Sequence, residues 1–276
     1  MTGEGYAPGW TGDALAMMAQ RTADVRAAFV FPFLADGLRV LDVGCGPGTI
    51  TLGLAEAVAP TGFVLGIDIQ RSQVELATET ATAAGAENLW FEQGSGYDLP
   101  VPSGSVDVAF AHALFEHLGR PADALAELRR VLRPGGVLAV SSSDWSGAVL
   151  NPRTPDVDDA LHGHYLLRRQ AGGDPFAGGR LETLVREAGF SEVRATENGR
   201  VDMTYPEIAR YVGGRVTTAL ADADATERPE LQRASEAARR WAEQDGDFLQ
   251  RWVEVTARSV FGVDRTDRSV PAQRAV

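Results

Sequence analysis

The chain has 276 residues, 44% of them hydrophobic and 23% charged, a balance that supports a full core and leaves either one large domain or a domain with an appendage. All 26 basic side chains are arginines against 38 acidic ones, and the resulting net charge of −12 repels phosphate backbones, which disfavours nucleic acid as a partner. Cys45 is the single cysteine, excluding an intrachain disulfide and a cysteine zinc site; the opening MTGEGYAPGW is neither basic nor apolar enough for a leader, and no apolar run is long enough to cross a bilayer, so no membrane association and a cytoplasmic location are expected.

In chain order, Leu15, Met18, Val25 and Phe29 fall at helical spacing before Pro32 breaks the pattern. Strand-like and helix-like segments then alternate. Arg39–Val43 reads as a buried strand, Thr49–Val58 as a helix, and Phe63–Ile67 as a second strand. Ser72 and Glu75 read as a capping box that opens a helix running to Gly85. Strands follow at Leu89–Glu92 and Val106–Ala111. Pro121 suits the first turn of a helix with the stripe Leu125, Leu128, Val131 and Leu132, and Pro134-Gly135-Gly136 ends it before a strand at Val137–Ser142. A helix at Leu181–Ala188, a strand near Val193–Glu197 and a last strand at Trp252–Ser259 complete the pattern. Such alternation predicts an α/β fold, a doubly wound, mostly parallel sheet covered on both faces. Two stretches break the rhythm: Gly147–Arg180, rich in Pro, Gly, Asp and His, and the charged, helical Tyr205–Asp247. The pairs Arg129-Arg130 and Arg168-Arg169 read as solvated helix faces.

The stretch VLDVGCGPGTITLGLAEAV runs from a strand through glycines into a helix, a turn that lets backbone approach a ligand closely. Gly44, Gly46 and Gly48 are evenly spaced and Thr49 follows, so the G-x-G-x-x-G of a dinucleotide fold is not met; no Gly-Lys-Ser/Thr follows either, which excludes a P-loop. Asp42 precedes the glycines. Asp68 ends the second strand, where a carboxylate accepts both hydroxyls of a ribose.

Four linked motifs, VLDVGCGPGTIT, GIDI, LPVPSGSVDVAFAHALFEHL and ELRRVLRPGGVLAV, make the chain similar to the class I S-adenosylmethionine-dependent methyltransferases of the type 11 and quinone-biosynthesis-like group, over about residues 38–142. The resemblance implies a Rossmann-like methyltransferase fold, a seven-stranded sheet with its last strand antiparallel and helical lid insertions, with S-adenosylmethionine as cofactor. It implies Gly44, Gly46 and Gly48 beneath the methionine part of the cofactor, Asp42 beside them, Asp68 on the ribose and Ile69 against the adenine. Where the family has Gly-Asp-Ala, this chain has Gly94-Ser95-Gly96; Ser95, beside Gly96, is left to meet the adenine amino group through a hydroxyl, unless Tyr97 or Asp98 takes part.

Ligands of open α/β sheets bind outside the carboxyl ends of the strands, which selects His112 as the candidate catalytic base, with a structural histidine as the rival reading, and Asp144 and Trp145 as candidate pocket residues. His164 and Tyr165 are candidates from the first insertion, while His117 reads as packing. Tyr6, Trp10, Phe176 and Tyr205 are candidate aromatic lining. His162 and His164 lack a third ligand at metal spacing, so no metal is expected. The expected organisation is an N-terminal helical cap (1–36), a cofactor-binding core (37–146), a lid insertion (147–180), a core continuation (181–199), a second helical insertion (200–250), a last core strand (251–262) and a tail (263–276). The expected function is methylation of O, N or C on a small organic molecule in specialised metabolism, by a monomer or homodimer. A cofactor-binding relative with a non-methylating activity and an inactive regulatory subunit remain open, and a dehydrogenase is the remote option.

Overall fold

The computed structural model describes residues 21–260. Leu15, Met18, Tyr6 and Trp10 lie outside the described residues, as do the tail and the end of the expected last strand. In chain order the elements are α1 (Ala23–Arg26), a short 3-10 turn (Phe31–Phe33), β1 (Arg39–Val43), α2 (Thr49–Ala57), β2 (Phe63–Asp68), α3 (Arg71–Ala84), β3 (Leu89–Gln93), β4 (Val106–His112) and a second 3-10 turn (Phe115–His117). They continue as α4 (Pro121–Val131), β5 (Leu132–Asn151), α5 (Pro155–Gln170), α6 (Ala177–Glu187), β6 (Ser191–Arg200), α7 (Tyr205–Asp222), α8 (Arg228–Trp241) and β7 (Asp247–Arg258). The seven strands form one sheet in the order β3-β2-β1-β4-β5-β7-β6. The pairs from β3 through β5 are parallel, and β7 runs antiparallel between β5 and β6. The order reverses between β1 and β4, so their carboxyl ends diverge and leave a crevice.

β4 is buried at every position, as the central strand of a sheet covered on both faces must be. On one face Leu125, Leu128 and Val131 of α4 and Leu181 and Val185 of α6 pack on Leu41, Ala109 and Leu138. On the other, Ile50 and Leu54 of α2 pack on Val40, Val64, Val108 and Phe110, together with Ala23 and Ala27. A third cluster joins Val157 and Leu161 of α5, Ile208 and Val212 of α7 and Ala237 and Trp241 of α8 to Trp145, Leu150 and Phe248 from the sheet. The helical cap over the carboxyl ends of β4 and β5 therefore has its own core.

Several boundaries differ from the sequence reading. β5 does not stop at Ser142 but continues to Asn151, and β7 begins at Asp247, because the two strands extend each other as an antiparallel pair, re-forming at Val149–Asn151 beyond a register break after Asp144. Part of Gly147–Arg180 is thus sheet, and another part is a core helix: α6 begins at Ala177 and packs against the sheet. Between them α5 is a regular helix, with Pro155 in its first turn, the Thr154 hydroxyl accepting the Val157 amide at 3.5 Å, Asp156 and Asp158 at its start and Arg168 and Arg169 at its end. The Ser72–Glu75 capping box does not form; α3 starts at Arg71 with Gln70 as its cap residue, which places Ser72 inside the helix. Glu207 does cap in this manner, accepting the Thr204 amide at 2.7 Å and its hydroxyl at 2.8 Å at the start of α7.

Candidate functional site

The glycine turn after β1 is held from beneath. Asp68, at the end of β2, accepts the Gly46 amide at 3.0 Å through one oxygen and the Gln70 amide at 2.9 Å through the other. Gly44 has φ of +77°, and a Cβ there would meet Leu114 at 3.2 Å, so only glycine keeps the backbone flat against the crevice. Burial raises the Asp68 pKa, and the two amides pull it back. Asp42 is also buried; it accepts the Thr51 hydroxyl at 2.7 Å, and burial pushes its pKa up to about 7.

Above this turn lies a cleft lined by Gly44, Gly46, Asp68, Ile69, Ser95 and Gly96, with Tyr97 on its rim and His112, Ala113 and His117 at its far end. Ile69 is exposed although it is a large aliphatic side chain, because it forms the open edge of the cleft. The Ser95 hydroxyl accepts the Tyr97 amide at 3.2 Å. Gly48 is not on this cleft. A Cβ at Gly48 would meet Phe91 and Ala77 within 3 Å, so glycine there serves the close approach of α2 to its neighbours. Asp42 faces a small adjoining cavity with Arg21, Pro47, Thr49 and His112 instead.

His112 closes β4. Its ring stacks on Trp252 of β7, with centroids 4.6 Å apart and planes at 19°. Both ring nitrogens are buried and have no hydrogen-bond partner among the described residues, and burial, reinforced by Arg21, Arg26 and Arg200, holds the imidazole well below its ordinary pKa. His112 is therefore a neutral base whose nitrogens have been left unsatisfied at the end of the cleft. The next residue, Ala113, takes φ of 56° and lines the same space.

A second chamber continues from Arg21, Ala113 and His117 under the helical cap. Trp145, Ile208, Tyr211, Phe248 and Trp252 give it apolar and aromatic walls, and Glu116, Arg168, Asp202 and Gln250 are polar members. Trp145, expected in the acceptor pocket, lines this chamber. Asp144, His164 and Tyr165 are not on either chamber. Asp144 is fully buried and forms an ion pair with Arg251 while accepting the Ser146 amide at 2.9 Å, a brace between β5 and β7. His164 lies inside the cap, 3.0 Å from Arg215 and in ring contact with Trp145, because the i, i+3, i+4 rows of α5 turn it inward. Tyr165 packs edge-on against Phe176 in the same cluster, and Tyr205 packs edge-on against Trp241. His162 is exposed and pairs with Glu230; among the described residues no group of three metal-ligating side chains occurs.

Two residues on these walls were read otherwise in the sequence, and a third, Glu116, was not singled out. His117, read as packing, borders both chambers. Arg168, read as solvated, is 4% exposed. Its signal was present: Val157, Leu161, His164 and Arg168 follow one helical stripe, so Arg168 had to share the buried face. Glu116 is buried too, its carboxylate accepting the hydroxyls of Ser142 at 2.5 Å and Ser143 at 3.0 Å. Arg130 keeps 34% of its side chain exposed and also binds the Leu99 and Val101 carbonyls and Glu127.

A protein-family model described as a methyltransferase domain matches residues 34–171. An uncharacterized methyltransferase of Schizosaccharomyces pombe is 30% identical over 239 residues, covering 82% of this chain and 85% of that protein. Nocamycin O-methyltransferase of Saccharothrix syringae is 36% identical over 194 residues, 64% of this chain and 67% of that protein. A 38% identical match to an uncharacterized transposon protein of Streptomyces fradiae is shorter, and the chain spans 44% of that protein's length. Among solved structures, a SAM-dependent methyltransferase from Aquifex aeolicus superposes with a TM-score of 0.51 at 20% identity, over 85% of this chain and 89% of that one.

Proposed function

Because this chain belongs to the class I S-adenosylmethionine-dependent methyltransferases, we propose that it methylates an oxygen of a small organic acceptor held in the second chamber, as a specialised-metabolic enzyme. In this reading Gly44 and Gly46 underlie the methionine part of the cofactor and Asp42 stands behind them. Asp68 offers its remaining lone pairs to the ribose, Ile69 covers the adenine, and Ser95 and Gly96 border its amino edge. Gly48 shapes the turn without touching the ligand. Bound S-adenosylmethionine supplies an electrophilic methyl group. The protein's part is to align an acceptor oxygen with that methyl, to exclude water beneath the helical cap, and to take up the hydroxyl proton.

The observation that carries the reading is His112: a neutral imidazole, both nitrogens unpartnered, at the end of the cleft and against Trp252 of the second chamber. A buried polar group with no partner costs stability, so it is kept for a ligand that supplies the partner. A depressed pKa makes it a weak base, which suits a hydroxyl that is itself acidic, a phenol or an enol. The O-methyltransferase among the relatives points to the same atom.

The test follows transfer of labelled methyl from S-adenosylmethionine to a panel of small phenols and enols, with cofactor affinity measured in parallel. His112→Ala and His112→Gln are expected to lower kcat by about 10²- to 10⁴-fold with cofactor affinity little changed. Retained turnover with lowered stability leaves His112 structural and the transfer to positioning alone.

A further inference from the structure

The second chamber contains a cation without a counter-ion. Arg168 of α5 is 4% exposed and lines the chamber, and it has no ion-pair partner among the described residues. Its Nε is buried with no hydrogen-bond partner among the described residues. One terminal nitrogen donates to neutral acceptors, the Glu116 carbonyl at 3.5 Å and the His117 ring at 3.0 Å. Of the acids on the same walls, Asp202 pairs with Arg26 at 2.6 Å, and the Glu116 carboxylate, turned to two serine hydroxyls, forms no ion pair with Arg168 among the described residues. Arg21 adds a second guanidinium to the same space.

A guanidinium withdrawn from water without a carboxylate is costly, and removing it in favour of an apolar side chain commonly stabilises a fold. Its presence on a chamber wall is accounted for when a ligand brings the missing negative charge. The rest of the lining describes the remainder of that ligand. Trp145, Phe248, Tyr211 and Trp252 give the chamber an aromatic wall, with Trp145 and Phe248 stacked at 28°, a surface suited to a flat apolar skeleton. The positive field is felt by the neighbouring histidines. Burial lowers the pKa of His117 and His164 first, and Arg168 and Arg215 lower both further.

We infer that the acceptor is a flat, largely aromatic molecule carrying a carboxylate or comparable oxyanion, and that Arg168 is the residue that binds this anionic group. The inference rests on the methyl-transfer reading. It assigns Arg168 to acceptor recognition, not to proton transfer, and the anion is a handle separate from the hydroxyl that faces His112. A guanidinium fork matches two oxyanion lone pairs, a geometry no neutral amide of the same shape reproduces.

The test is a pair of probes, 1-hydroxy-2-naphthoate and 1-hydroxy-2-naphthamide, titrated by calorimetry into the protein loaded with S-adenosylhomocysteine. The wild type is expected to bind the carboxylate at least about tenfold more tightly than the amide, in line with a charge-assisted hydrogen bond. Arg168→Met is expected to erase that preference with a melting temperature equal to or above that of the wild type, and Arg168→Lys to retain part of it. Equal binding of the pair by the wild type, binding of neither, or a preference that survives in Arg168→Met overturns the proposal. The wild-type comparison needs no variant, so the outcome is decisive even where a substitution unfolds α5. Methyl transfer to neutral acceptors with no anion preference removes this inference alone, whereas failure to bind S-adenosylhomocysteine removes the methyl-transfer reading beneath it.

Discussion

Asp42 and Asp68 flank one glycine turn, yet their surroundings set them to different tasks. Asp68 receives two backbone amides, whereas Asp42, fully withdrawn from water, accepts the Thr51 hydroxyl. Burial raises the Asp42 pKa from 3.8 to about 7, with Asp68 a minor contributor. Between those two values the folded protein keeps a proton that the unfolded chain has released. Stability is therefore lost as pH rises through that window and levels off above it. Asp42→Asn, which cannot ionise, is expected to gain on the wild type from about pH 4 to pH 7, by no more than about 1.4 kcal/mol per pH unit. Urea denaturation across that range measures the difference, and a flat difference would show that Asp42 ionises normally. Ser95 belongs at this scale as well: its hydroxyl already accepts the Tyr97 amide, leaving one lone pair for a ligand where a carboxylate would offer several.

At the scale of elements, the cap depends on how closely α5 meets α8. Gly163 sits on that contact, where a Cβ would lie 2.5 Å from the Cβ of Ala234. Helix propensity favours Gly163→Ala by about 1 kcal/mol. Overpacking a filled contact costs about 1–3 kcal/mol, so the clash outweighs the propensity. Gly163→Ala is expected to lower stability by about 1 kcal/mol, read by chemical denaturation, and a net gain would mean that the two helices slide apart freely. The same helix carries His164 and Arg168, so loosening this contact is also expected to weaken acceptor binding more than cofactor binding.

Across the whole molecule, the net charge of −12 contrasts with the guanidinium groups gathered around the chambers. Burial in a low-dielectric cleft focuses such local charge regardless of the net balance. The single thiol reports on the whole fold. Cys45 is buried on the glycine turn, and burial holds its pKa well above the ordinary thiol value, so labelling requires the turn to open. Iodoacetamide is expected to react slowly in the native protein. Saturating S-adenosylmethionine is expected to slow it further, by about a hundredfold at a hundred times the dissociation constant where opening and ligand release are coupled. Labelling that is fast, or indifferent to the ligand, would place the cofactor away from this turn.

The sheet and the glycine turn were legible from residue order because each rests on local chemistry, whereas the antiparallel course of the last strand came only with the family resemblance. Arg39–Val43 and Val106–His112 are short, mostly apolar runs, each broken by one aspartate, Gly44 and Gly46 stand where φ is positive, and Asp68 ends a strand. The motifs are contiguous in sequence, so they could be read together. The acceptor side was not readable in the same way. Asp144 looked like a pocket residue by position until β7 brought Arg251 beside it, and His164 looked like one until α7 and α8 closed over it. Gly48 matched a ligand motif but faces Phe91 and Ala77. The chambers are walled by side chains from β4, β5, α5, α7 and β7, segments far apart in the chain. Strand and turn identity follow from short-range sterics and periodicity, which sequence carries by itself. Which charges are paired, and which are left facing a cavity, depends on long-range packing, and only the tertiary structure decides it.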